Sequence, residues 1–392
     1  MYNTEIGKFC AEHDNWEELL VQEPYCLKIK EDGNYVMFSY DQICSDFNNS
    51  IVRECRGIIF YKGEWENPVC WAFNKFGNYG ESYVPDIDWS TAFVTEKVDG
   101  SLMKVWYSSY DHKWHISTNG TIDAFKAELG DVRVSNFGNY FLQALERYTP
   151  AHVYRTAFQE FTANLDERLT YMFELVGPYN RVVVPYEEPA LYFLGARDKH
   201  IGEEYYSCND LLVQSSGLIK FRTPKLYHLY SLADCIKAAD LKSWDDEGFV
   251  VCDIHSNRVK IKSPAYVLAH YARNNNVITR KHLVRTILAN EVEEFLCYAS
   301  DYTDEMLKTH KLMNAFKNIG NKLAASCRSV ADKLSRADYA TLVHTFPKIF
   351  QGLLFFNYDR VVTAEDYTSN WNENKWEEYL IEMEKLKDEY KR

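Results

Sequence analysis

Lys97 is the first residue in this chain whose setting could do chemistry. In Phe93-Val-Thr-Glu-Lys-Val-Asp-Gly-Ser-Leu-Met-Lys-Val-Trp106 it ends an apolar strand-like segment, Asp99-Gly100 supplies a tight turn or bulge, and a second alternating segment follows. Such an order can hold one amine at the mouth of a pocket between two sheets. By itself Lys-x-Asp-Gly also describes a hairpin turn with a solvated lysine, and the rest of the chain has to decide. Other charged residues sit inside apolar strands. Glu174 lies in Tyr-Met-Phe-Glu-Leu-Val176, Glu247 opens Glu-Gly-Phe-Val-Val-Cys252, and Arg56 lies in Glu-Cys-Arg-Gly-Ile-Ile-Phe60. Lys260 and Lys262 alternate in Val-Lys-Ile-Lys-Ser263, so both share one strand face. Singly, each fits an edge strand with a solvated face. Together they form a face of cations and carboxylates, which suits a nucleoside triphosphate, the carboxylates serving a metal and the lysines the phosphates.

The elements that must position these residues read mostly as β-hairpins. Residues 5–20 have helical periodicity. Cys26–Lys30 and Tyr35–Tyr40 form a hairpin about Glu-Asp-Gly-Asn34. Val52–Tyr61 and Pro68–Phe73 read as a second hairpin turning at Lys62-Gly63. Strands flank Lys97, with Trp114–Thr118 as the next partner, and a helical stretch covers about 132–164. Strands return at Leu169–Val176, Arg181–Pro185 and Leu191–Ala196. Leu211–Ser215 and Tyr230–Ala238 read as helical, and Glu247–Asp253 with Arg258–Lys262 as a last hairpin. From Pro264 onward the periodicity is helical, with little Gly or Pro, which places a domain boundary near 264–275.

A chain of 392 residues suggests two domains or three, and 46% hydrophobic content is enough for a core in each. The 15% aromatic content, with 29 Tyr, suits β-rich packing and base stacking. Ten cysteines without a Cys-x-x-Cys pair read as reduced thiols of a cytosolic protein. No apolar run approaches a membrane span and the first residues lack a signal pattern, so the expectation is a soluble, cytoplasmic protein without membrane partners, in the host cytoplasm if the source is viral. Net charge is −13, which excludes a general nucleic-acid coat. Residues 269–392 are charge-balanced, so the whole excess of acid lies before them. A neutral, locally basic tail beside an acidic body is compatible with local nucleic-acid contacts, and Lys308, Lys311, Lys317, Lys322, Arg328, Lys333 and Arg336 form a basic run in it.

Taken in order, Lys97-Val-Asp-Gly100, Glu174, Glu247-Gly248 and Val259-Lys-Ile-Lys262 resemble the nucleotidyltransferase motifs of the covalent ligase and capping-enzyme superfamily. The chain is more closely similar to the phage-type RNA ligase 1 family. The stretches that carry this are Phe38-Ser-Tyr40, Glu54-Cys-Arg-Gly-Ile58, Lys75-Phe76, Lys97-Val-Asp-Gly-Ser-Leu102, Phe173-Glu-Leu-Val-Gly-Pro-Tyr-Asn-Arg-Val182, Glu247-Gly248, and Lys260-Ile-Lys-Ser263 with Tyr266. The resemblance covers about 35–270 well and the tail more loosely. It implies an α+β fold: an antiparallel-sheet, ATP-grasp-like nucleotidyltransferase domain over 1–268, then an all-helical C-terminal domain over 269–392 that helps choose the RNA.

The implied enzyme is an ATP-dependent RNA ligase working in three steps. Lys97 attacks the α-phosphate of ATP and forms lysyl-AMP, AMP passes to an RNA 5′-phosphate, and a 3′-hydroxyl displaces AMP. A lysine amine is protonated at neutral pH, at pKa ~10.4 when free, and must lose that proton to attack. Nearby cations, Lys260, Lys262 and Mg2+ (or Mn2+), would favour that loss and stabilise charge on the phosphates. By the same resemblance Glu174 and Glu247 serve the metal and the nucleoside. Tyr40, Arg56, Lys75, Phe76, Asp99, Gly100, Gly248, Lys260, Lys262 and Tyr266 surround ATP, with Phe76 as a wall for adenine. Arg197 matches a further strand position. The implied substrate is RNA with 5′-phosphate and 3′-hydroxyl ends, a cleaved tRNA among the candidates in RNA repair, with an end-healing kinase or phosphatase as partner. Two positions depart from the family: Val98, where an acid is common, and Asn119, where some relatives carry a lysine. The alternatives are a DNA ligase or capping guanylyltransferase, against which the helical tail counts, and a non-catalytic nucleic-acid-binding protein of the same fold.

Overall fold

The computed structural model describes residues 3–389 apart from 42–43, 132, 150–154, 207–217, 273–277, 290–291, 293–294 and 297–298. The chain divides into two compact units, Met1–His270 and Tyr271–Arg392.

The first unit begins with two short helices, α1 (Glu5–Glu12) and α2 (Trp16–Leu20). Residues 13–15 interrupt what the periodicity presents as one helix, because Asp14 and Asn15 favour a turn. Strands β1 (Leu27–Asp32), β2 (Tyr35–Tyr40) and β3 (Arg56–Tyr61) form an antiparallel meander. Helix α3 (Ser50–Glu54) precedes β3, so Val52 is helical and not part of a strand. The expected strand Pro68–Phe73 is reduced to a single bridge, Ile59 with Cys70. Its apolar residues are there to fill a core, with Val69 and Cys70 packing against Met37, Ile59 and Trp106.

Next come β4 (Gly77–Asn78), β5 (Phe93–Glu96), β6 (Ser101–Ser108), β7 (Lys113–Thr118), β8 (Glu128–Asp131), β9 (Val134–Asn136), α4 (Phe137–Leu145) and α5 (Ala157–Thr162). The stretch read as helical from about 132 thus starts as a β8–β9 hairpin. Then follow β10 (Leu169–Val176), β11 (Ala190–Asp198), β12 (Glu204–Tyr206), β13 (Leu226–Tyr227), α6 (Leu232–Asp240), β14 (Gly248–Cys252), β15 (Arg258–Lys262) and α7 (Pro264–Ala272). Arg181–Pro185 is irregular rather than a strand. The expected helix at Leu211–Ser215 lies outside the described residues.

Two five-stranded sheets result, ordered β12-β11-β10-β6-β7 and β13-β5-β14-β15-β4. The chain leaves the second sheet at the end of β5 and enters the first at β6, so 97–100 is the crossover between them. Each sheet buries alternate residues in its own core. Met103, Val105, Tyr171, Phe173 and Leu175 pack on α4, whereas Val94, Phe249, Val251, Val259 and Ile261 pack on α6. The intervening positions, Leu102, Lys104, Glu174, Arg258, Lys260 and Lys262, take the other faces.

In the second unit the described elements are helical: α8 (Arg280–Leu288), α9 (Thr303–Ala331), α10 (Arg336–Val343), α11 (Lys348–Phe356), α12 (Ala364–Thr368) and α13 (Glu373–Glu389). Leu312, Phe316, Phe350, Leu353, Trp376 and Leu380 form its core. Three ion pairs, Arg280–Glu384, Lys281–Glu377 and Arg285–Glu373, run between α8 and α13. Among the described residues no helix is long and apolar enough to cross a membrane.

Candidate active site

A cavity of about 290 Å3 opens at the 97–100 crossover. Of the residues singled out in the sequence, Arg56, Phe76, Lys97, Gly100, Glu174 and Lys260 line it. The backbone fixes Lys97: its N–H donates to the Gly248 carbonyl at 2.9 Å, continuing the β5–β14 ladder by one step. Its Nζ lies 2.7 Å from Glu247 Oε1, and Lys262 Nζ reaches the same oxygen at 3.9 Å. Glu247 Oε2 is buried and has no hydrogen-bond partner. An unsatisfied carboxylate oxygen beside a pocket is a place a cation could fill.

Glycines let the backbones come this close. At Gly248, φ is +124° and an added Cβ would sit 2.2 Å from the Ile261 carbonyl oxygen. At Gly100 it would sit 2.5 Å from the Leu175 carbonyl, so only a glycine lets the crossover pass β10 beside Glu174. Burial pushes the Glu174 carboxyl up to about 8; Lys97 pulls it back and the Glu247 charge adds to the rise. Glu247 pairs with the Lys97 amine and the Glu174 carboxyl feels the same charges, an arrangement that favours a shared cation over two free carboxylates.

The cationic side comes from β15 and β3. Burial, then the like charges of Lys75, Lys97, Lys262 and Arg56, pulls Lys260 well below the ordinary lysine range. Its Nζ lies 4.9 Å from the Phe76 ring centre, and the Arg56 guanidinium lies 5.2 Å from the same ring. Lys75 stands over Tyr40 and Phe47, at 5.2 and 4.8 Å. Its influence on Lys260 marks it as near, but neither it nor Tyr40 lines the cavity.

Two residues expected near the nucleotide, Asp99 and Tyr266, are hydrogen-bonded within the protein and do not line the cavity. Asp99 is 5% exposed. Oδ2 accepts from the N–H groups of Val183 and Val184 at 2.9 and 2.7 Å, and Oδ1 accepts from the Tyr266 hydroxyl at 2.9 Å. Asp99 and Tyr266 therefore tie the crossover to the 183–184 segment and to α7, behind the cavity wall.

Arg258, Tyr206, Phe93, Phe73 and Lys104 escaped the sequence reading of the site, and Arg197 and Asn119, named there, find their places here. Arg258 continues the alternation of Lys260 and Lys262 and lines the cavity, a signal the spacing already held. Its guanidinium pairs with Glu204 Oε2 at 2.5 Å, and Glu204 Oε1 lies 3.6 Å from Arg197 Nη1. Arg197 also donates to the Ala72 carbonyl and the Asn74 side chain and stacks 3.6 Å over Trp71, so it braces the cavity floor. Tyr206 and Phe93 add aromatic wall beside Phe73 and Phe76. Asn119 lines the cavity, and Lys104 is buried behind it.

The molecule is an α+β protein in which a lysine with a carboxylate partner stands between two mainly antiparallel sheets opposite a cationic strand, followed by a helical C-terminal region. No family model matches the chain. It is 30% identical over 290 residues to a protein of Autographa californica nuclear polyhedrosis virus, provisionally named a bifunctional polynucleotide kinase/RNA ligase; the match takes in 70% of this chain and 39% of that one. It is 26% identical over 363 residues to the RNA ligase of Rhodothermus phage RM378, covering 78% of each. An archaeal ATP-dependent RNA ligase structure is similar over 77% of each chain, at 14% identity and a TM-score of 0.45. By sequence the chain is similar to RNA ligases of phage and viral origin. It spans about two fifths of the viral relative's length, so that protein's full activity does not transfer with the similarity.

Proposed function

We propose that the chain is an ATP-dependent RNA ligase whose nucleophile is Lys97. The observation that carries this reading is the Lys97 amine at the cavity, 2.7 Å from Glu247, with Lys260 and Arg56 in the same lining. In this reading Lys97 Nζ attacks the α-phosphorus of ATP, a P–N bond forms, and the bond to the bridging oxygen of pyrophosphate breaks. Glu247 holds the ammonium in place and is the nearest group to take its proton. Lys260 and Arg56 neutralise charge that builds on the phosphates, and Phe76 and Tyr206 offer faces to the base. The AMP then moves to an RNA 5′-phosphate, and a 3′-hydroxyl displaces it to leave a phosphodiester.

A divalent cation, Mg2+ or Mn2+, fits this site. The unpartnered Glu247 oxygen and the adjacent Glu174 would hold it, with further ligands from phosphate and water, since no group of three His, Cys, Asp or Glu able to hold a metal is found among the described residues. When bound it would screen the triphosphate and polarise the phosphorus under attack. Broken RNA, a cleaved tRNA included, is the substrate class this reading implies. A kinase or phosphatase that prepares the ends would act beside it.

Incubation with labelled ATP and Mg2+ in the absence of RNA should label the protein covalently, and labelled GTP should not. Lys97→Ala should take up no label, while joining of pre-adenylylated RNA survives in part, because that step bypasses the amine. Label on the Lys97→Ala protein would sink the assignment, and uptake from GTP would favour the capping alternative.

A further inference from the structure

Lys104 is 0% exposed, and a lysine buried so completely costs stability unless its charge has a use. It stands on β6 one step beyond Leu102, on the face whose Leu102 lines the cavity. Its Nζ donates to the Gly57 carbonyl, and no carboxylate is among its partners in the described residues. The charged neighbour is instead Arg56, of like sign, with the Cys70 thiol also near. Burial lowers the Lys104 ammonium to about 8, so it is still mainly protonated at neutral pH.

The carbonyl it holds belongs to a bulge. Phe38 pairs with Ile58 and Ser39 with Arg56, so Gly57 is the extra residue between β2 and β3. Its φ is +73°, and an added Cβ would lie 2.6 Å from Lys104 Nζ and 2.6 Å from the Asn119 carbonyl oxygen. The bulge therefore rests directly on the ammonium. Arg56, the next residue back, lines the cavity over Phe76. On the other side Asn119 also lines the cavity; its carbonyl accepts the Ser39 hydroxyl at 3.0 Å, and its side-chain Oδ1 is buried without a partner.

We propose that Lys104 is a positioning residue of the nucleotide site: its ammonium pins the Gly57 bulge and so aims Arg56 at the phosphates, without touching the nucleotide. This rests on the reading that Arg56 meets the phosphates of ATP. A bulge sets where the residue beside it points, and a charge fixed behind Arg56 adds positive potential to the cavity without further motion. An apolar side chain would fill the same space but leave the Gly57 carbonyl without a donor.

Lys104→Met keeps the length and removes the charge and the donor. Single-turnover self-adenylylation over a range of ATP concentrations should then show about tenfold weaker apparent ATP affinity with a maximal rate within about twofold, the pattern of lost binding rather than lost chemistry. Arg56→Met should also weaken ATP binding, and the double variant should be no worse than Arg56→Met alone, because Lys104 acts through Arg56. A melting curve establishes that each variant is folded. If Lys104→Met is not, Lys104→Leu, which also removes the charge and the donor, carries the same comparison. Unaltered ATP affinity in the folded Lys104 variant, with Arg56→Met weakened, overturns the inference and leaves the ligase reading standing. Losses that multiply in the double variant overturn the route through Arg56. Unaltered affinity in Arg56→Met removes the phosphate reading of Arg56, and this inference with it.

Discussion

Asp99 sits two residues from Lys97, yet it does not line the cavity, and its carboxylate is hydrogen-bonded to the protein itself. Its partners are Val183, Val184 and Tyr266, from 84 to 167 residues further along the chain. The motif marks the residue, but nothing local in Lys-Val-Asp-Gly says whether the acid meets a ligand or the protein's own backbone. Alternation, by contrast, does place Lys260 and Arg258 on one face, because strand period two is a local property. The distinction can be measured. Asp99→Asn keeps the shape, gives up the charge, and turns one acceptor into a donor facing N–H groups or the Tyr266 hydroxyl. It should destabilise the protein by about 1–3 kcal/mol, the cost of a buried group left unmatched, with ATP affinity of the folded protein changed less than about threefold. Denaturant unfolding and ATP titration on the same sample separate the two roles. A full loss of ATP binding at unchanged stability would make Asp99 a nucleotide ligand instead.

Among the elements, the two hairpins β1–β2 and β14–β15 were legible from alternation and turn residues, whereas Pro68–Phe73 and Arg181–Pro185 were not. Both are apolar runs with strand-like composition, and tertiary packing uses them as irregular filler and as donors to Asp99. The helix read over 5–20 hides another tertiary feature. Glu54 closes α3, and its Oε2 accepts from the Ile6 N–H at 3.0 Å, at the start of α1. Burial raises its carboxyl to about 7, with the hydrogen bonds from α1 opposing the rise. The sign follows from linkage. A carboxyl raised in the folded state binds its proton more tightly there, so its contribution to stability is full below about 4.5 and is lost as pH rises through about 7. Glu54→Gln has no such loss. Its melting temperature relative to the unmodified protein should therefore climb between pH 5 and pH 8. A difference that stays constant over that range would mean that Glu54 is paired or hydrated, and not buried as an acid.

For the molecule as a whole, composition located the change from strands to helices near 264–275, and the structure divides after His270. Which basic residues of the tail are free to meet RNA could not be read from the sequence, because ion pairs form across distant helices. Lys308 pairs with Glu384, Arg328 with Asp332 and Arg336 with Asp359, so three of the seven are partly neutralised within their own unit. Lys317 is half-buried, near the Trp376 ring. Lys311, Lys322 and Lys333 are exposed along α9 and just beyond it. An acidic body repels phosphate at long range, so any RNA contact must come from such local charges. If the tail reads RNA, replacing Lys311, Lys322 and Lys333 with Gln should weaken binding of a nicked stem-loop. It should also flatten the salt dependence by about 0.7–0.9 in log–log slope for each phosphate that the tail no longer neutralises. Self-adenylylation, whose candidate residues all lie before 267, should be unaffected. Binding of the stem-loop and of a plain single strand across a salt series provides the check. Should the slope and the ratio of the two affinities both stay as they were, these lysines do no more than solvate their helix, and choice of RNA belongs to the first unit.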